Sequence, residues 1–272
     1  MSVVQRSVRA LRERGPVVFA GHALRQLGDR LLIREATREF RRRRERVIDL
    51  AGALDLAFGF DFDGVTIAPM QIRSEIERLL HELERRRPRT ILEIGTANGG
   101  SLYLFCEVAA PDALIVSVDL PGGLFGGGYE ATREPLYAAF ARPGQRLELV
   151  RADSHDPETK RRVDALLSSG DVDFLFIDGD HSRDGVESDY RTYSPLVTAG
   201  GAIALHDVHP GPISLVGGVP EFWSALKPTV PARELVESDG QEGYGIGLID
   251  VSIPAPPAPV GESVSDSSKS RS

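Results

Sequence analysis

The sequence contains one cysteine, one tryptophan and two methionines in 272 residues, and it has no long apolar run. A single cysteine, Cys106, cannot form an internal disulfide, so nothing in the composition requires an oxidising compartment. A membrane-spanning helix would need about 18 consecutive apolar residues, which are absent. Arginines interrupt the first residues, MSVVQRSVRALRERG, where a secretory signal would have its apolar core. We therefore expect a cytoplasmic globular protein.

Positive charge is concentrated in the first fifty residues. These hold thirteen arginines against six acidic residues, whereas the whole chain has a net charge of −8. The run Arg41-Arg42-Arg43-Arg44 is compatible with binding to nucleic acid or anionic lipid. Glutamates are interleaved with these arginines, however, and apolar residues recur at helical intervals, which favours a solvated helix. We expect no nucleic-acid partner and regard the N-terminal helices as a candidate contact between copies of the chain.

The chain divides into three parts by composition. Residues 1–70 form a helical, arginine-rich segment, and the Pro- and Ser-rich residues 254–272 have the composition of a disordered tail. Between them, residues 71–253 alternate β-branched runs with helical patterns, which predicts a mostly parallel sheet with helices on both faces. The expected strands lie in 89–95, 113–120, 146–153, 171–178, 200–207 and in the later runs ARELVES and GYGIGLIDV. The predicted fold is thus a seven-stranded Rossmann-like α/β sheet preceded by helices.

Titratable or glycine residues stand at the ends of the first five predicted strands. In open α/β sheets ligands bind outside the carboxyl ends of the strands. The residues placed there are Gly95, Asp119, Asp153, Asp178 and the pair His206-Asp207. We expect them to form one site.

The first strand runs into Glu93-Ile-Gly95-Thr96-Ala-Asn-Gly99-Gly100-Ser101. Glycines and a following helix N-terminus suit the close approach of a ligand. The spacing E-x-G-x-x-x-G departs from the dinucleotide fingerprint G-x-G-x-x-G. It resembles motif I of class I S-adenosylmethionine-dependent methyltransferases. The resemblance implies a donor site that involves Glu93, Gly95, Thr96, Gly99, Ser101, Asp119 at the ribose, and Asp153 with Ser154 near the adenine.

Four later motifs narrow the resemblance. They are FIDGDH (176–181), GGAIALHDV (200–208), GVPEFW (218–223) and the late run GYGIGLI. Together they resemble the metal-dependent O-methyltransferases of the macrocin and mycinamicin type, which act on macrolide sugars, and their cephalosporin-hydroxylase-like relatives. The likeness extends from about Ile72 to Val251. In that family the first aspartate of D-G-D-H and two adjacent acidic residues after the fifth strand hold a divalent cation, and the histidine is the general base.

Carried onto this chain, the resemblance implies that Asp178 and Asp207 bind a metal and that His181 is the base. We also expect Asp178 and Asp180 to contact the methyl donor. One position departs from the ligand pattern of this family: His206 stands where the family has an acidic residue. Imidazole is a poor ligand for magnesium and suits manganese, iron or zinc. The sequence therefore leaves magnesium or manganese open, and also whether His206 binds the metal or turns away.

A glycine-rich loop, Pro121–Tyr137, follows the second strand. Five glycines surround Leu124 and Phe125, and no Gly-Lys-Ser/Thr follows them, which argues against a phosphate-binding P-loop. We interpret this loop as a lid over the donor and the acceptor.

The leading hypothesis is an S-adenosylmethionine-dependent, metal-assisted O-methyltransferase that acts on a hydroxyl of a small molecule or glycoside. Deprotonation of a weakly nucleophilic hydroxyl is the task for which a cation and a histidine are suited. Three alternatives stay open: a nicotinamide-dependent oxidoreductase, an RNA methyltransferase, and a non-catalytic protein that binds S-adenosylmethionine.

Overall fold

The computed structural model of the protein describes residues 16–122, 128–167 and 171–252. The predicted tail 254–272 and the first fifteen residues lie outside this range. The α-helices and strands follow in the order α1 (Pro16–Arg44), α2 (Leu50–Gly59), β1 (Asp61–Phe62), β2 (Val65–Thr66), α3 (Arg73–Arg86), β3 (Thr90–Ile94), α4 (Gly100–Val108), β4 (Leu114–Asp119), α5 (Glu134–Tyr137), β5 (Arg146–Arg151), α6 (Pro157–Leu167), β6 (Val172–Ile177), α7 (Arg183–Tyr193), β7 (Val197–His206), α8 (Ile213–Val216), α9 (Val219–Leu226), β8 (Ala232–Leu235) and β9 (Ile246–Asp250).

Seven strands form one sheet in the order β5-β4-β3-β6-β7-β9-β8. The first five of these strands are parallel, whereas β9 pairs antiparallel with both β7 and β8. This arrangement confirms the predicted mostly parallel seven-stranded sheet. Strands β1 and β2 form a separate two-stranded hairpin just before α3.

Both faces of the sheet are covered, which explains why its central strands are mostly apolar. Along β6, Phe174 and Phe176 belong to one buried cluster, and Leu175 and Ile177 belong to a second cluster on the opposite face. Successive residues of a strand point to opposite faces, so a strand covered on both sides needs apolar residues at every position. The apolar residues of the run DVDFLFID are therefore all buried in a central strand, from Phe174 to Ile177 and at Val172.

Helix α1 packs into the first of these clusters. Phe40 is fully buried, with its ring 5.0–5.6 Å from those of Phe60, Tyr103 and Phe140. Ala36 and Ile33, one and two turns earlier, are buried in the same cluster. The helix therefore shares a core with α4, which directly follows motif I.

The arginine run at the end of α1 is largely engaged within the chain. Arg42 and Arg43 hydrogen-bond to Glu39, and Arg43 also lies over the ring of Phe60. Arg44 donates from Nε to Glu107 at 2.8 Å and from Nη1 to the carbonyl of Ala139 at 2.9 Å. The contacts of Arg44 fix the end of the helix to α4 and to the segment after α5. Among the helices of the described residues, α1 included, none combines the length and apolar character that crossing a bilayer requires.

The predicted lid has a packed second half. Its residues 123–127 lie outside the described residues. Tyr129, Leu136 and Tyr137 are buried, and the Tyr137 hydroxyl donates to the carbonyl of Ala97 at 2.7 Å. This half of the loop therefore forms part of the core beside motif I.

Candidate active site

The ends of β3, β6 and β7 lie side by side at one edge of the sheet. The parallel register pairs Ile94 with Ile177 and Ile177 with Leu205, so Gly95, Asp178 and His206 follow at the same level. The backbone N–H of Asp178 donates to the carbonyl of Ile94 at 2.8 Å. The topology thus brings motif I and the two acidic strand ends to one place.

Two aspartates and two histidines form a cluster at this edge. His206 Nδ1 lies 3.0 Å from Asp178 Oδ1 and 3.5 Å from Asp207 Oδ1. His181, at the start of the loop to α7, lies on the other side. Its Nδ1 is 3.2 Å from Asp207 Oδ2, and its Nε2 is 3.5 Å from Asp178 Oδ1. Both imidazoles therefore contact both carboxylates.

The charges in this cluster depend on one another. Burial alone would raise the pKa of Asp178, but His206 and His181 outweigh burial and lower it. Burial likewise would lower the pKa of His181, yet Asp178 and Asp207 raise it to about 9. The pKa of His206 is raised for the same reason, mainly by Asp178. Asp178 and the two imidazoles therefore favour one another's charged forms.

The cluster fits a divalent cation. Ligand atoms of Asp178, His181 and Asp207 lie within 4.8 Å of one another. Asp207 Oδ1 and His206 Nε2 are buried and have no hydrogen-bond partner in the described chain. Buried polar atoms without partners are costly, and a cation would supply the missing interaction. Two carboxylates with imidazole nitrogen form a ligand set that suits manganese or zinc better than magnesium.

The two histidines differ in accessibility. The side chain of His181 is 15% exposed, whereas that of His206 is 3% exposed. His181 also contacts the carbonyl of Leu215 through Nδ1 at 3.3 Å. Both histidines line the cavity in front of this cluster, and His181 is the more accessible of the two.

A cavity of about 120 Å³ opens in front of this cluster. Its remaining lining is uncharged and partly apolar, and comprises Met70, Ala97, Gly179, Ser214, Leu215 and Tyr244. No lysine or arginine is among the described residues that line it. The exposed acidic residues Glu237, Asp239 and Glu242 lie in the segment that leads to Tyr244.

Glu93 of motif I is fully buried between β3, β4 and α4. Its carboxyl accepts hydrogen bonds from Ser101 at 2.7 Å and from Ser117 at 2.6 Å. Burial raises the pKa of Glu93 to about 8, despite these two hydroxyl groups. Thr96 joins the same network, with its Oγ1 2.5 Å from Ser117 Oγ. Three of the residues predicted to bind the donor, Glu93, Thr96 and Ser101, are thus connected behind the motif I loop.

Asp119, the predicted ribose ligand, holds the motif I loop. Its carboxylate accepts from the backbone N–H groups of Thr96 and Ala97 at 2.9 and 2.7 Å, and also from those of Leu120 and Gly128. Burial raises the pKa of Asp119, although these four N–H groups act in the opposite direction. The residue lies at the expected strand end, and its first structural task is to fix the loop.

The motif I glycines are required by chain packing. Gly95 has φ +96°, and a Cβ there would lie 2.0 Å from the carbonyl oxygen of Asp178. At Gly99 a Cβ would lie within 3 Å of the rings of Tyr137 and Phe140. Glycine at these positions therefore lets β3 end against β6 and lets α4 begin beneath α5.

The structure does not bring every predicted site residue into the cavity. Asp180 is exposed and accepts from the backbone N–H of Ser182 at 2.8 Å, which places it at the start of α7. Asp153 accepts from the N–H of His155, and the carbonyl of Ser154 accepts from Tyr193. Asp180, Asp153 and Ser154 are absent from the lining of the 120 Å³ cavity.

The sequence analysis missed the segment Ile67–Gln71, which lies over motif I. A Cβ on Gly100 would lie 2.2 Å from the Ile67 carbonyl oxygen, so the two segments are in close contact. Gln71 Nε2 donates to Asp178 Oδ2 at 2.7 Å. The sequence offered one signal, a polar residue between apolar neighbours just before α3. Its contact with a residue 107 positions away is purely tertiary.

The family comparison agrees with this geometry. Residues 92–208 match the family model described as a methyltransferase domain, and they contain motif I and both acidic strand ends. This part of the chain therefore matches a methyltransferase domain. The predicted class is confirmed.

The methyltransferase domain is similar to a curated relative and to solved structures. The uncharacterized protein R132 of Acanthamoeba polyphaga mimivirus is 32% identical over 118 residues, which cover 43% of this chain and 51% of that protein. The chain thus matches about half of that relative's length.

Among solved structures, cofactor-bound Rv0187 from MTB has a TM-score of 0.50 and 18% identity, and the match covers 74% of this chain and 88% of that one. The O-methyltransferase TomG from Streptomyces achromogenes, involved in tomaymycin synthesis and solved with SAM, has a TM-score of 0.48 and 21% identity, over 76% and 91% of the chains. At these identities the likeness concerns the fold.

Proposed function

We propose that the protein is an S-adenosylmethionine-dependent O-methyltransferase that acts on a hydroxyl group with the help of a divalent cation. One observation carries the proposal: two carboxylates and two imidazoles lie beside motif I, around a cavity with an uncharged wall. A sulfonium methyl needs little activation, because sulfur leaves as a neutral thioether. The chemical demand falls on the acceptor hydroxyl, which must lose its proton.

We assign Asp178, Asp207 and His206 as ligands of the cation. We assign His181 as the general base that accepts the proton of the acceptor hydroxyl. A bound divalent cation lowers the pKa of a hydroxyl beside it. His181 is the more exposed imidazole and stands at the cavity wall, so an acceptor can reach it. Asp207 contacts His181 and keeps its ring oriented. The motif I loop, held by Asp119, positions the donor in line with the acceptor.

The acceptor class follows from the cavity wall. A phosphorylated acceptor would need cations to balance its charge, and the described lining offers no lysine or arginine. Met70 and Leu215 offer apolar contacts instead. We therefore propose an uncharged acceptor, a small molecule or neutral glycoside that carries a hydroxyl group beside an apolar part.

Metal removal tests the proposal. Methyl transfer should vanish with excess chelator and return with added cation, manganese restoring it at least as well as magnesium because of His206. Full activity in chelator, with no metal in the purified protein by elemental analysis, would contradict the metal-assisted reaction.

Two alanine variants separate the histidine roles. His206→Ala should weaken Mn²⁺ binding, measured by electron paramagnetic resonance of the free ion. His181→Ala should lower turnover about 10²–10⁴-fold, the range for loss of a general base, with Mn²⁺ affinity retained. His181 also lies within ligand distance of both aspartates. A loss of Mn²⁺ affinity in His181→Ala would therefore make His181 the metal ligand and leave His206 as the base.

A further inference from the structure

Gln71 is a buried amide between motif I and the acidic cluster. Its side chain is 5% exposed, and its Nε2 donates to Asp178 Oδ2 at 2.7 Å. A carboxylate only accepts hydrogen bonds, so this contact fixes which end of the amide faces Asp178. Oε1 must therefore point away from the carboxylate. It is buried, and it has no hydrogen-bond partner in the described chain.

The residue that carries this unpaired Oε1 lines a groove along motif I. Gln71 lines this groove together with Gly95, Ala97, Asn98 and Gly100, and Asp178 closes one side. An acceptor that is buried and unpaired at a ligand groove indicates a donor supplied by the ligand, because leaving it unpaired is costly.

S-adenosylmethionine carries a suitable donor at its amino-acid end. Its carboxylate is attracted to the free N–H groups at the start of α4, a nine-residue helix whose first residue, Gly100, lines the groove. The adjacent α-ammonium is a cation with N–H donors, and such a group suits a carbonyl oxygen close to a carboxylate.

We propose that Gln71 is a binding and positioning residue that couples the donor site to the metal site. This proposal rests on the proposed function. Oε1 accepts a hydrogen bond from the α-ammonium of the donor, while Nε2 holds Asp178 so that Oδ1 faces His206 and His181. Because one amide makes both contacts, a bound donor strengthens cation binding, and by linkage a bound cation strengthens donor binding by the same factor.

The test measures binding, without turnover. Calorimetry compares S-adenosylhomocysteine with 5′-methylthioadenosine, which lacks the amino-acid end, in the wild type and in Gln71→Met. Methionine matches the length of glutamine but has no amide. The variant should lose about tenfold or more in affinity for S-adenosylhomocysteine, the scale of a hydrogen bond to a charged group. Its affinity for 5′-methylthioadenosine should be unchanged, which also shows that the donor site is folded.

The coupling is measured with Mn²⁺, titrated with and without S-adenosylhomocysteine. The wild type should bind Mn²⁺ more tightly when S-adenosylhomocysteine is present, and Gln71→Met should show no such difference. Gln145→Met is the matched control, since Gln145 also donates from Nε2, to the carbonyls of Cys106 and Ala110, away from the groove. This control should behave as the wild type.

Three results would overturn the proposal: an unchanged affinity of Gln71→Met for S-adenosylhomocysteine, an equal loss for both ligands, or a wild type without coupling. A wild type that binds no S-adenosylhomocysteine would instead contradict the proposed function itself. The two failures are therefore distinguishable.

Discussion

At the residue scale, the buried carboxyl of Glu93 gives stability a specific pH dependence. Its pKa in the folded chain, about 8, lies above the ordinary value of 4.5. Between these values the folded chain binds more protons than the unfolded chain does. The contribution of Glu93 to stability is therefore full below pH 4.5 and is lost as the pH rises through 8.

Glu93→Gln should remove this dependence. Thermal unfolding of the wild type and the variant, followed at about pH 5 and about pH 8.5, should show a smaller change in melting temperature for Glu93→Gln. Glu158→Gln, on the exposed surface of α6, serves as the control and should follow the wild type. Parallel pH profiles of wild type and Glu93→Gln would show that Glu93 titrates normally.

Asp119 has two tasks that one variant can separate. Asp119→Ala should weaken S-adenosylmethionine binding by about 1.5–3 kcal/mol, as expected when hydrogen bonds to a charged group are lost. It should also lower the free energy of unfolding, because the N–H groups of Thr96 and Ala97 lose their acceptor.

Calorimetry and urea unfolding measure the two effects of Asp119→Ala. The exposed Asp112, at the other end of β4, is the control position. A destabilised variant that binds the donor as tightly as the wild type does would restrict Asp119 to holding the loop.

At the element scale, α1 is expected to stabilise the domain through Phe40. Truncation of a fully buried phenylalanine costs about 3–5 kcal/mol, so Phe40→Ala should lower the free energy of unfolding by that amount. Leu31→Ala on the same helix removes a side chain that is 52% exposed and should change it by less than about 0.5 kcal/mol. Equal effects of the two substitutions in urea unfolding would show that the helix contributes little to the core.

The central strands could be predicted from sequence because local patterns determine them. A strand buried on both faces, such as β6, is mostly apolar, and its carboxyl end lies at the edge of the sheet where ligands bind. The expected strands therefore match the observed ones within three residues at each end, including β7, which begins at Val197. Motif I and Asp178 could be placed at one edge for the same reason.

Other features depend on tertiary contacts and left no periodic signal. The sequence could not show that the Asp119 carboxylate turns toward Thr96 and Ala97, nor that Gln71 reaches Asp178 across the fold. The packing of the lid loop could not be predicted from the sequence either, since the burial of Tyr137 depends on α1 and α4. The metal ligands were assigned through the family resemblance, and the proximity of His181 to both aspartates appears only in three dimensions.

At the scale of the whole molecule, charge should control the choice of acceptor. The cavity carries carboxylates and no described lysine or arginine in its lining, and exposed acidic residues lie in the segment that leads to it. Methyl transfer from radiolabelled S-adenosylmethionine can be compared for pairs of hydroxyl compounds, each offered free and as its phosphate. The free compound should have a kcat/KM at least about tenfold higher than its phosphate. The phosphate would lose its hydration in the cavity without a cationic side chain to compensate its charge, which is unfavourable. A preference for the phosphates would exclude the uncharged acceptor class.

The contact between Gln71 and Asp178 also bears on how the protein is made. Its two side chains are 107 positions apart, and Asp207 follows another 29 residues later. Ribosomes add roughly 5–20 residues per second, so a nascent chain spends seconds with motif I complete and its acidic partners still unsynthesised. At the proposed metal site, a cation could bind only after β7 has emerged and paired with β6. A bound cation would therefore mark chains in which β6 and β7 are synthesised and paired, before β8 and β9 join the sheet.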